Sequence, residues 1–139
     1  MQKMIKNQPD WDSIFNDNFE KFSNEDFSDN VIYLNGVKRY DPYPLWFRCY
    51  KVGEMQIWTI QGIVTLPDIA SGQSIRVFNI PAITNKIHYM DAGSSKQSAG
   101  VFFNYDESAA GMFSAANSAT NKFESQNVNF RALVICENN

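Results

Sequence analysis

The chain has 139 residues, 44% of them hydrophobic and 19% charged, a size and composition that fit one domain with a packed core and exclude a disordered chain. Its formal net charge is −3, with seven acids against three lysines in residues 1–30 and eight acids against nine bases in residues 31–139. Neither part forms a basic stripe, so nucleic acid is not an expected partner.

Taken in chain order, residues 10–23 carry Trp11, Ile14, Phe15, Phe19 and Phe22, an apolar stripe at helical period that predicts a short N-terminal helix. Asp10 after Pro9 caps its first turn. Residues 23–30 are polar and acidic and read as a linker, so residues 1–30 form a helix-and-linker segment and residues 31–139 a β-sandwich domain. Val31–Leu34 runs into Asn35-Gly36, a type I′ hairpin signal. Tyr43–Tyr50 is a strand whose approach through Pro42 and Pro44 marks a sheet edge, and Val52-Gly53-Glu54 is a tight turn. Met55–Leu66 is a long strand in which Gly62 predicts a bulge or kink. Pro67–Gln73 is a loop, and Ser74–Ile80 and Lys86–Met90 are strands. Asp91–Ser98 is a polar loop, Ala99–Tyr105 a strand, Met112–Ala115 a short strand, and Asn117–Gln126 a loop. Asn127–Cys136 is a final strand of the kind inserted into the centre of a sheet. Strands every 8–12 residues predict an all-β antiparallel sandwich or jelly roll behind a short N-terminal helix.

Residue chemistry points away from catalysis. His88 stands alone among strand residues, with no nucleophile motif beside it. The carboxylates of the β region (Asp41, Glu54, Asp68, Asp91, Asp106, Glu107, Glu124 and Glu137) read as turn and surface groups. A glycosidase pair such as Asp91 with Asp106 on neighbouring loops is geometrically possible, but turn and solvent-facing roles are favoured for both. Cys49 and Cys136 fall in core-like strands and read as buried free thiols, and whether they approach each other is left open. No metal-ligand cluster or phosphate loop is present, so neither metal nor cofactor is expected. No apolar run suggests a signal peptide or a membrane span.

Saccharide binding needs an exposed ring and nearby polar groups. Tyr89, Asp91, Lys96, Asn104, Tyr105 and Asp106, read as lying near loop tips, are the candidate ligand residues. Met55–Leu66 is apolar on both faces, with Met55, Ile57, Thr59 and Ile63 on one and Trp58, Ile60, Val64 and Leu66 on the other. A two-layer sandwich needs only one, so the excess predicts a subunit interface. Trp58, Ile60 and Val64 are assigned to it, while core packing remains open for Trp58. Trp46 reads similarly, nearer an edge.

The order Asn35-Gly36, then Leu45-Trp46-Phe47-Arg48-Cys49-Tyr50-Lys51, Val52-Gly53-Glu54, Ile60-Gln61-Gly62-Ile63-Val64, Ser71-Gly72 and Ile75–Pro81 resembles the C-terminal head domain of phage and prophage tail fibres and receptor-binding proteins. Pro9–Phe19 is similar to a helix of Gram-positive phage tail proteins. The resemblance covers about half the chain. It implies a homotrimeric head that binds host cell-wall polysaccharide or another surface receptor without cleaving it. It also implies a place in the virion tail, reached from the host cytoplasm by assembly or lysis. Two other readings stand beside it: a structural baseplate or tail accessory protein that binds other tail proteins, and a small polysaccharide hydrolase.

Overall fold

The computed structural model describes residues 27–137. The helix expected over residues 10–23 lies outside the described residues. Nine strands follow in order: β1 (Ile32–Tyr33), β2 (Lys38–Arg39), β3 (Trp46–Val52), β4 (Met55–Leu66), β5 (Ser74–Asn79), β6 (Ile87–Ser94), β7 (Val101–Tyr105), β8 (Met112–Asn117) and β9 (Gln126–Glu137). They form two antiparallel sheets in a sandwich-like arrangement. In the first, β4 and β9 are central, β6 is one edge, and β2 and β3 share the other edge of β4. The second has the order β1-β5-β8-β7.

The connectivity follows from how the long strands divide. β4 pairs with β9 while β5 pairs with β8, and β6 pairs with β9 while β7 pairs with β8. Three two-strand ribbons, β4–β5, β9–β8 and β6–β7, therefore cross side by side from one sheet to the other. Alternation sets which residues meet between the sheets. Phe130 of β9 lies 5.6 Å from the ring of Phe78 on β5 and 4.6 Å from that of Phe103 on β7, and Phe78 stacks on Phe113 at 5.0 Å. All four rings are buried. Burying each contributes about 1.5–3 kcal/mol, so this phenylalanine cluster is the main cement between the sheets.

Two glycine turns differ from the sequence expectation in an informative way. Asn35 and Gly36 both have positive φ, 53° and 84°, as a type I′ turn requires, and Val37 N–H donates to the Leu34 carbonyl at 2.9 Å. Yet β1 and β2 lie in different sheets, so this turn is a corner between layers and not a hairpin within one. Gly62, expected at a bulge, leaves the β4–β9 register unbroken. Its φ is +146°, and an added Cβ would strike the Pro44 carbonyl and sit 2.7 Å from Leu45 Cα. The absent side chain admits the segment before β3, which drops Leu45 fully into the core and starts β3 at Trp46 and not Tyr43.

β6 runs to Ser94, through residues 91–94 that read as loop in the sequence. Met90 and Ala92 face Val134 and Ala132 while Asp91 and Gly93 face outward, an alternation masked by small and polar residues. Phe27–Asn30 are likewise more than a linker. Ser28 exchanges hydrogen bonds with Phe47 at 3.0 and 2.8 Å, and Asp29 pairs with Arg39 at 2.9 Å.

Asn117 is the one buried polar or charged residue among the described residues. Its Nδ2 donates to the carbonyls of Ile69 and Asn121 at 3.0 and 2.9 Å, and its Oδ1 accepts from Ala119 N–H at 3.0 Å. It ties the loop after β4 to the loop after β8, and a buried amide with all these partners satisfied is favourable.

Candidate functional site

Among the described residues, the two outer faces of the sheets and a small cavity beside Trp58 are surfaces that could serve function, and strand register dictates what each face displays. On the outer face of the first sheet, Tyr50, Ile57, Ile135 and Tyr89 form one cross-strand row over β3, β4, β9 and β6. The adjacent rows add Val52 and Met55 on one side and Thr59 and Leu133 on the other. Tyr89, Met55 and Leu133 are 52%, 44% and 39% exposed. An apolar band therefore crosses this outer face, with Glu137 in one flanking row and Arg48 and Asp91 in the other, although the same strands already bury an apolar inner face. Towards the other end of β4 and β9 the face becomes polar, with Gln61 beside Arg131, and Thr65 donating to Asn127 Oδ1 at 2.6 Å.

The second sheet shows the opposite character. Its outer rows are Arg76–Ser114–Asn104 and Ser74–Ala116–Phe102. Arg76 pairs with Asp106 at 2.6 Å. The Ser108 hydroxyl and N–H donate to the other oxygen of Asp106 at 2.6 and 2.8 Å. These bonds from Ser108, helped by Arg76, hold the Asp106 carboxyl below its ordinary range. Phe102 stands exposed on the same face two residues before Asn104 on β7, with Asn104 between it and the Asp106 group. An accessible ring, an amide two residues on, and a guanidinium, carboxylate and hydroxyls further along one face are the kinds of group that hold a sugar by its C–H face and its hydroxyls.

The six ligand residues expected from sequence are thus divided. Tyr89 and Asp91 lie on the outer face of the first sheet. Asn104 and Asp106 meet at the second, with Arg76. Tyr105 turns inward and packs against the core. The Lys96 carbonyl anchors the 3-10 turn over Gln97–Ala99 that carries the chain between sheets. Asp91 and Asp106 belong to different sheets, so the pairing a glycosidase needs is not formed. His88 sits at a register shift in β6, 3.5 Å from Glu137.

The interface residues expected from sequence need correction. Trp58, Ile60 and Val64 are 5%, 1% and 0% exposed and belong to the chain's own core. The other face of β4, with Met55 and Ile57, is the one that looks outward. Both faces were recognised as apolar, but the sequence gives no sign of which one turns inward. Trp58 instead borders a cavity of about 230 Å3, lined by Ser28, Phe47, Cys49, Lys51, Gln56, Trp58 and Ala82. Its indole N–H donates to Gln56 Oε1 at 3.2 Å. That cavity is below the about 300 Å3 of an ordinary small-molecule pocket.

Cys49 and Cys136 are both buried and free, on β3 and β9 with β4 between them. Burial, with a smaller contribution from Cys49, pushes the Cys136 thiol up to about 11. Among the described residues no group of three or more His, Cys, Asp or Glu side chains could hold a metal ion. No described helix is long and apolar enough to cross a membrane. Arg76 and Ser114 were not singled out from sequence, because only cross-strand pairing brings them to Asp106 and Asn104; Phe102 and Ser108, two residues from Asn104 and Asp106 along the chain, were overlooked. Compared with protein-family models, curated proteins and solved structures, the chain matched none of them.

Proposed function

We propose that the chain is a non-enzymatic recognition module, the head of a phage tail protein, which assembles as a homotrimer and binds host cell-wall saccharide. The observation that carries this reading is the difference between the two outer faces. The first sheet offers an apolar surface of the kind subunits cover. The second offers an exposed ring among polar groups. One face would then assemble the module while the other recognises its target, and three weak sites held together raise avidity by orders of magnitude.

The three ribbons crossing side by side between sheets support a jelly-roll reading of the fold. The strand-and-turn order from Asn30 to Pro81 supports the likeness to phage tail heads. On this reading the acidic residues 1–30 join the head to other tail or baseplate proteins, and the protein works in the virion tail. The reading is tested by light scattering and by binding to purified cell-wall polysaccharide. The expected results are a mass three times the 15.9 kDa of one chain and saturable binding without release of reducing ends. Phe102→Ala and Asn104→Ala should each weaken binding by about tenfold, equivalent to one contact of about 1.4 kcal/mol, with the trimer intact. A monomer at micromolar concentration, or binding indifferent to both substitutions, would refute it.

A further inference from the structure

We infer that the outer face of the second sheet selects an uncharged saccharide, and that Asp106 sets this preference by neutralising and orienting Arg76. The inference rests on the recognition reading above and names the class of its ligand. Strands β1, β5, β7 and β8 contain a single charged residue, Arg76. By contrast, every strand of the first sheet except β4 carries charged side chains. The one cation of the second sheet is answered where it stands, by Asp106 Oδ2 at 2.6 Å. Glu107, exposed in the same turn, adds a further negative charge. The face therefore holds no positive field that would draw in an anionic polymer.

The two members of the pair have different tasks. Asp106 accepts three hydrogen bonds from its own chain, one from Arg76 and two from Ser108, out of about four acceptor positions on a carboxylate. Its side chain is 20% exposed, against 49% for Arg76. The carboxylate is thus a clamp, and the guanidinium is the group that projects. A guanidinium has more N–H donors than one carboxylate oxygen can accept, so Arg76 keeps donors for sugar hydroxyls with the pair intact. An anionic ligand would instead meet a cation already neutralised, and would have to displace Asp106 to reach it. Ser108, helped by Arg76, holds the Asp106 carboxyl below its ordinary range, so the pair persists in mild acid. Asn104 and Phe102 continue the same face without charge. Asp106 lies four residues after Phe102, roughly 13 Å of extended chain, which suits more than one unit of a saccharide.

The experiment separates cell-wall polysaccharide by anion exchange into uncharged and acidic fractions and measures binding of each to the full chain across salt concentration. Heparin serves as a second, host-independent anionic probe. Wild type should bind the uncharged fraction at least about tenfold more tightly than the acidic fraction or heparin, with little change on adding salt. Asp106→Asn keeps an oxygen for Ser108 but removes the charge that faces Arg76. It should reduce that preference at least about fivefold, by gaining salt-sensitive binding to heparin. Adding Arg76→Gln to Asp106→Asn should abolish the gain, and melting temperatures verify that each variant folds. A wild-type protein that prefers the acidic fraction overturns the inference and leaves recognition standing, and this comparison needs no variant. A folded Asp106→Asn chain with wild-type preference, or heparin binding that survives in the double variant, overturns it as well. Binding to neither fraction overturns the recognition reading itself.

Discussion

Replacing Asn117 by alanine tests whether one amide holds two loops together. The wild-type side chain makes three hydrogen bonds, two donated by Nδ2 and one accepted by Oδ1. Losing a partner from a buried group costs about 1–3 kcal/mol. The bond to Ile69 belongs to a buried residue and carries the full cost, whereas Asn121 is exposed and water can replace its lost partner. The substitution also empties a small polar volume that water can partly refill. The sum is about 2–4 kcal/mol, a large part of the stability expected for a domain of this size. The backbone bonds Gly72 N–H to Asn117 O at 2.8 Å and Asn117 N–H to Gln73 O at 2.9 Å survive in the variant, so the sheet should persist while the loops loosen. Urea unfolding measures the change, and amide exchange at Ala119 and Phe123 should quicken before the strands open. A loss below about 0.5 kcal/mol, the scatter of ordinary surface changes, would show that the amide is a bystander.

Two further outcomes follow from the same physical account. Gly62→Ala should destabilise the protein by more than the about 1–3 kcal/mol of backbone strain alone, because the new methyl meets the Pro44 carbonyl. Its melting temperature checks this, and near-normal stability would mean that the Pro44–Leu45 segment can move aside. The raised Cys136 thiol favours the neutral, folded form, so its stabilisation is complete below the unfolded thiol value of about 8.5 and is lost as pH rises towards about 11. Denaturant midpoints should therefore decline over that alkaline window, and in Cys136→Ser they should decline less. Equal slopes in both proteins would sink the argument.

The strands were largely legible in the sequence because alternation and turn residues encode them locally. Met55–Leu66 is bounded by Gly53-Glu54 and Pro67, and the structure keeps both limits. The sheet to which a strand belongs is not encoded locally. Asn35-Gly36 announces a tight turn but not that the chain changes layers there. The inward face of Met55–Leu66 was equally undetermined, since Trp58 and Ile57 are both suited to a core. What decided it was where Phe78, Phe103 and Phe113 arrive from the far half of the chain. The candidate site suffered most from this. Asp106 was visible as a turn residue, but its partner Arg76 lies 30 residues away and is brought to it only by the β5–β8 and β7–β8 pairings.

The position of β9 has a consequence for how the chain is made. β9 lies between β4 and β6, partners completed long before it, and joins β4 along its whole length and β6 from Phe130 to Cys136. Until residues 126–137 have left the ribosome, two long strands have bare edges and no shared neighbour, and the phenylalanine cluster lacks Phe130. Folding must then await a long-range closure, which is slow, and the growing chain is exposed to sticking to its neighbours meanwhile. Yield in cells should accordingly depend on synthesis temperature and chaperone supply more steeply than the stability of the finished protein would suggest.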